Sequence, residues 1–108
     1  MGALMSLTEN LEKMLANGND SAMLRFGLGS AYFNDKNYQQ AIPHLKKCIE
    51  WDNSYSAAYK LLGRAQIKVG LSDQAKITLE TGLKQAALSG DKQTEREISV
   101  FLKKLEKH

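Results

Sequence analysis

Polar capping residues and glycines divide the chain into stretches whose apolar positions recur at helical spacing, and six helices follow from them. Ser6-Leu7-Thr8-Glu9 is a capping box, in which the serine hydroxyl and the glutamate carboxylate each satisfy a free backbone N–H. The helix it opens runs to about Ala16 and stops at Asn17-Gly18. Asp20 or Ser21 caps a second helix reaching about Asn34, and Asn37 caps a third reaching about Trp51. Pro43 lies in the second turn of that third helix, where it removes one backbone hydrogen bond. A fourth helix spans about Ser54 to Val69 and ends at Gly70, and a fifth follows Ser72 and ends before Gly90. Asp91 caps a sixth, which extends to about Glu106 with Ile98, Phe101, Leu102 and Leu105 as one apolar stripe at i, i+3, i+4 and i+7.

The pattern also repeats. Arg25-x-x-Leu28-Gly29-x-x-Tyr32 followed by Ala41-x-x-x-Leu45 returns 34 residues later as Tyr59-x-x-Leu62-Gly63-x-x-Gln66 followed by Ala75-x-x-x-Leu79. Aligning residues 22–55 on 56–89 without a gap matches Leu28/Leu62, Gly29/Gly63, Ala31/Ala65, Gln40/Gln74, Ala41/Ala75 and Leu45/Leu79. Glycine inside a helix costs roughly 1 kcal/mol relative to alanine, so a glycine at the same phase of two helices implies a neighbour pressed against the backbone. The period and the small positions resemble the tetratricopeptide repeat, a unit of two helices, A and B, that stacks into a superhelix. The resemblance implies an all-α fold, an α-solenoid of antiparallel helix-turn-helix repeats with about six helices in a single domain, 1–108. An N-terminal capping helix at 7–16 precedes repeat 1 at 22–55, repeat 2 at 56–89 and a C-terminal capping helix at 91–106.

The chain departs from the family pattern at Arg25, where Trp is preferred, at Gln66, where Tyr is, and at Asn53 and Ala87, which replace the closing Pro. Asn53 is expected to cap the next helix. Cys48 and Gly82 keep the small residue late in helix B, and Leu11 and Met14 align with Leu45 and Cys48, so the first helix takes the place of a B helix from a preceding repeat. In strict register Glu97 falls at the glycine position. The last helix therefore slips by one residue or, in the simpler reading, is a lone amphipathic helix covering the open end of the stack.

Composition narrows the function. The chain has 108 residues, enough for one domain, and no linker or low-complexity run divides it. The single Cys48 makes neither an intramolecular disulfide nor a multi-cysteine metal site, and a reducing cytoplasm is the expected setting. No apolar stretch approaches the roughly 20 residues that span a bilayer, and Met1–Ser6 lacks the regions of a signal peptide, so no membrane partner is expected. Gly2 followed by Ser6 fits the loose N-myristoylation pattern, but that pattern is short and common and one acyl chain anchors only marginally. A net charge of +3 raises nucleic acid as a partner. Yet Lys92, Arg96, Lys103, Lys104 and Lys107 are interleaved with Asp91, Glu95, Glu97 and Glu106, and no aromatic stacking platform accompanies them, so no nucleic acid is expected either.

Catalytic chemistry is thin. His44 and Cys48 are one helical turn apart, but a zinc site needs two further ligands, and Cys48 belongs to the packed face of the repeat, where a thiol is inert. His44 is expected to face solvent beside the buried Cys48. No phosphate-cradling loop or paired carboxylate is present, so no enzyme activity, metal or cofactor is expected. Tyr32, Tyr38, Tyr59 and Trp51 are expected in the core.

The family's groove, formed by successive A helices, falls here on Met23, Phe26, Ser30, Phe33 and Asn34 and on Ala57, Lys60, Arg64, Ile67 and Lys68. Lys60, Arg64 and Lys68 lie at i, i+4 and i+8 on one helical face, a basic stripe beside Phe26 and Phe33. The expected partner is another protein, through an acidic or carboxylate-ended segment with apolar anchors. The two-carboxylate clamp that some relatives use for chaperone tails is not reproduced, since Phe26 and Ser30 stand where it needs Lys and Asn. The competing reading is a self-associating unit that buries its end faces or its groove against a copy of itself, as a homo-oligomer.

Overall fold

The computed structural model describes residues 6–107, which leaves Gly2 of the acylation pattern and His108 outside it. Six α-helices account for nearly all of that span, and no strand occurs among the described residues: α1 Leu7–Ala16, α2 Ala22–Asn34, α3 Tyr38–Trp51, α4 Ser56–Lys68, α5 Ser72–Ser89 and α6 Lys92–Glu106. Three of them start on side-chain caps. Ser6 and Glu9 form the reciprocal pair at α1, Ser21 Oγ accepts from the Leu24 N–H at 3.0 Å, and Asp91 Oδ1 accepts from the Thr94 N–H at 3.1 Å. Asn37 precedes α3 without capping it, its amide donating instead to Gln40 Oε1. Asn53 does not cap either: Tyr55 is the N-cap of α4, and the Asn53 carbonyl accepts the Tyr59 hydroxyl at 2.9 Å.

The two hairpins, α2 with α3 and α4 with α5, turn through the same backbone device. Lys36 and Gly70 occupy equivalent positions with φ of 61° and 86°, and the residues after them return hydrogen bonds to the carbonyls of Tyr32 and Gln66. Glycine is at ease in that left-handed conformation and lysine is not. Lys36→Gly is therefore expected to stabilise the chain by about 0.5–1 kcal/mol, measured by urea unfolding.

Within each hairpin the glycine has the neighbour that its cost implied. A Cβ on Gly29 would lie 2.5 Å from Leu45 Cγ, and one on Gly63 2.5 Å from Leu79 Cγ, while both leucines are fully buried. The hairpins stack through Ala41, Leu45 and Leu62, with Leu61 packed alongside, and Ile98 of α6 reaches Gly82 of α5 in the same manner. Each helix packs on its chain neighbours, and α2, α4 and α6 also touch in succession, which draws the molecule out to 51 × 28 × 20 Å. α6 thus packs on α5 and α4 as α4 packs on α3 and α2. Its cap, Asp91, follows Tyr55 by 36 residues where Tyr55 follows Ser21 by 34, so the slip is two residues, not one.

Two sequence expectations fail here for one reason. Trp51 is not core but 46% exposed, and His44 is not solvent-facing but has a side chain only 15% exposed. Arg25 replaces the tryptophan of the family pattern, and its guanidinium cannot be buried among apolar groups. It forks onto Asp20 at 2.8 and 2.9 Å, donates to His44 Nδ1 at 3.1 Å, and passes 5.8 Å from the Trp51 ring, keeping that indole at the surface. His44 in turn stacks on Tyr32, with ring centroids 5.6 Å apart, and Tyr32 donates to Glu12 of α1 at 3.1 Å. Burial pushes the His44 pKa below its ordinary value, outweighing Glu12 close by. The neutral ring is thereby kept as an acceptor for Arg25.

Candidate functional site

The concave face is built by the A helices α2, α4 and α6; Ser56 donates to Asp91 Oδ2 at 2.7 Å where α4 and α6 begin, and aromatic and basic side chains gather toward their C-terminal ends. Arg64 is central there. Its guanidinium lies 4.8 Å from the Phe33 ring centroid and 5.2 Å from that of Phe101, so one planar cation joins three helices. Below it opens a cleft of about 320 Å³ lined by Arg64, Ile67, Lys68, Phe101, Lys104 and Leu105. Its floor is apolar and its rim carries Lys68 and Lys104, whose ammonium groups stand 6.0 Å from the Tyr38 ring and 5.6 Å from the Phe101 ring.

The structure gathers part of the expected groove and sets the rest apart. Phe33, Arg64, Ile67 and Lys68 converge on the cleft or its edge. Lys60 is paired with Glu97 of α6 at 2.9 Å, so the basic stripe is neutralised at its first member. Phe26 stacks on Tyr55 at 4.9 Å, and Phe33 meets Tyr38 edge-on at 5.1 Å. Ser30 and Ala57 are half-buried and Asn34 is exposed, while Met23 lies in a different depression, with Leu7, Leu11 and Met14. Phe101, Lys104 and Leu105 escape the sequence reading. Phe101 and Leu105 belong to the apolar stripe of α6, but that stripe reads as the packing face of a cap, which carries no groove assignment.

Away from the groove, Cys48 is fully buried and its thiol is pushed up to about 11, by desolvation first and by Asp52 second. Among the described residues no three His, Cys, Asp or Glu side chains converge as metal ligands. Native chain is expected to leave Cys48 unreacted with a thiol reagent at pH 8 and to expose it on unfolding, as read from thiolate release. Because the folded pKa is raised above its ordinary value of 9.0, the stabilisation from keeping the thiol neutral is complete below pH 9 and is lost as pH rises toward 11.

Comparison with known proteins matches this architecture. The tetratricopeptide repeat model aligns with residues 32–91, more than half of the chain. A TPR repeat-containing protein of Pseudomonas aeruginosa is 48% identical over 101 residues, covering 94% of this chain and 96% of its own. The chain belongs to the tetratricopeptide repeat family. A protein of Bordetella parapertussis solved in solution superposes with a TM-score of 0.84 at 38% identity, over 96% of this chain and 90% of that one. The tetratricopeptide repeat domain protein of Salinibacter ruber superposes at 0.75 over 81% of this chain and 97% of that one, at 22% identity, a likeness of fold alone. MamA superposes at 0.66 with 26% identity, covering 93% of this chain and 65% of MamA. The small residues Gly29, Gly63 and Gly82 thus serve the packing of a tetratricopeptide repeat array. No helix among the described residues is long and apolar enough to cross a membrane.

Proposed function

We propose that this tetratricopeptide repeat chain is a non-enzymatic recognition module whose concave groove holds an acidic or carboxylate-ended segment of another protein. The observation that carries the reading is Arg64 beside Phe33 and Phe101, above an apolar cleft rimmed by Lys68 and Lys104. An extended segment fits this arrangement by seating an apolar side chain on Ile67, Phe101 and Leu105 while its carboxylates meet the rim cations. The apolar anchor supplies most of the affinity, because an exposed ion pair contributes about 0–1 kcal/mol. The cations select the partner and speed its approach. The pairing of Lys60 with Glu97 favours the α4/α6 end of the groove over its N-terminal end, since an acidic ligand at Lys60 must first displace a carboxylate already seated there.

Selection of a random peptide library against the folded chain tests the reading. Acidic peptides with a fixed apolar residue are expected, lost when Phe101→Ala and Lys104→Glu are combined. Peptides of no consistent charge, or retention by that double variant, would refute it.

A further inference from the structure

We propose that copies of this chain join head to tail, with α6 of one copy and α1 of the next completing a repeat between them. Within residues 6–107, α1 is a B-type helix with no A helix packed before it, and α6 an A-type helix with no B helix packed after it. Leu7, Leu11 and Met14 stand 34 residues before Ala41, Leu45 and Cys48, which are fully buried. On α1 two of the counterparts are open, Leu7 at 65% exposure and Met14 at 46%, while Leu11 is half-buried beside Gly27; with Met23, at 75%, they line an apolar depression of about 370 Å³ between α1 and α2.

The outer face of α6 offers the matching half. Aligning its cap, Asp91, on Tyr55 of α4 places Ser99 on Gly63, the residue against which Leu79 packs. Ser99 lies in a shallow depression walled by Lys92, Arg96, Val100 and Lys103. Antiparallel docking in the manner of Gly29 with Leu45 and Gly63 with Leu79 seats Leu11 of the next copy on Ser99. The aliphatic stems of Lys103 and Arg96 then flank Leu7 and Met14.

Charge selects this arrangement over a symmetric one. α1 carries Glu9 and Glu12 against Lys13, the nearby Asp20 being neutralised by Arg25, whereas the free face of α6 carries Lys92, Arg96 and Lys103 against Glu95. Opposite signs meet head to tail, and like signs meet if two α1 ends face each other. A heterologous contact of this kind does not close on itself, so the copies form chains. The contact is small and partly polar, which places its dissociation constant on the order of 0.1–1 mM.

Sedimentation equilibrium from micromolar to millimolar concentration tests the proposal on the 108-residue chain. The wild-type average mass is expected to rise past that of a dimer. Leu7→Arg with Met14→Arg blocks one end, and Ser99→Arg the other; circular dichroism checks that both variants keep their helices. Each alone is expected to stay monomeric, while an equal mixture forms a heterodimer and stops there. Assembly is read with no peptide present, which keeps this test separate from that of the groove. A wild-type chain that remains monomeric at millimolar concentration, Ser99→Arg associating by itself, or blocked variants that do not complement each other would overturn the proposal.

Discussion

Gly63→Leu is expected to abolish cooperative thermal unfolding near the wild-type temperature, because the new side chain must occupy the volume of Leu79. Even a Cβ would lie 2.5 Å from Leu79 Cγ, and Leu79 is fully buried with no open space into which to turn. Overpacking of a rigid core costs about 1–3 kcal/mol, and more where helix backbones must separate. The same substitution at Gly29 meets Leu45 at the same distance. Gly27→Leu is the control, since a Cβ there comes no closer than 3.5 Å to Leu11. Calorimetry is expected to show a loss of several kcal/mol at positions 29 and 63 and a small change at 27. Equal tolerance at all three would mean that the A and B helices are not held together by this contact.

The second large effect is expected at Arg64, where stability and recognition are coupled. The guanidinium lies beside Phe33 and Phe101, and each such contact contributes about 0.5–1 kcal/mol at a partly exposed site. Arg64→Ala is expected to lower stability by about 1–2 kcal/mol and to loosen α6 from α2 and α4. Lysine lacks the flat group that stacks on rings, so Arg64→Lys recovers the charge without recovering the geometry. Hydrogen exchange in α6 is expected to quicken in both variants. For a groove ligand, Phe101→Ala removes the anchor and is expected to weaken binding by roughly 1–3 kcal/mol at any salt concentration. Lys104→Glu acts mainly at low salt, because the Debye length is only about 8 Å at physiological ionic strength.

What the sequence reveals depends on whether a residue obeys the repeat. Helix ends are legible where serine, aspartate and glycine mark them, as at Ser6, Ser21, Gly70 and Gly90, and the A-to-B packing is legible in Gly29 and Gly63. Boundaries shift where no side chain caps the backbone, so α4 starts at Ser56 rather than near Ser54. The groove is half legible. Its α2 and α4 residues follow from the 34-residue register, but α6 reads as a lone cap rather than a further A helix, which leaves Phe101 and Lys104 unassigned. Glu97 shows the same thing from the other side: at the glycine position in register, it lies instead against Lys60. His44 and Trp51 were misplaced because a position rule carries the family's tryptophan with it. Arg25 in that place reorganises both neighbours.

The central claim is that the groove between α4 and α6 receives a protein segment, and amide chemical-shift mapping tests it most directly. A peptide selected on the folded chain is titrated into isotope-labelled protein at physiological salt. The account predicts shifts concentrated on Phe33, Arg64, Ile67, Phe101 and Lys104, saturating with a single affinity. Shifts confined to α1, α3 or α5, with α4 and α6 unperturbed at saturation, would contradict it.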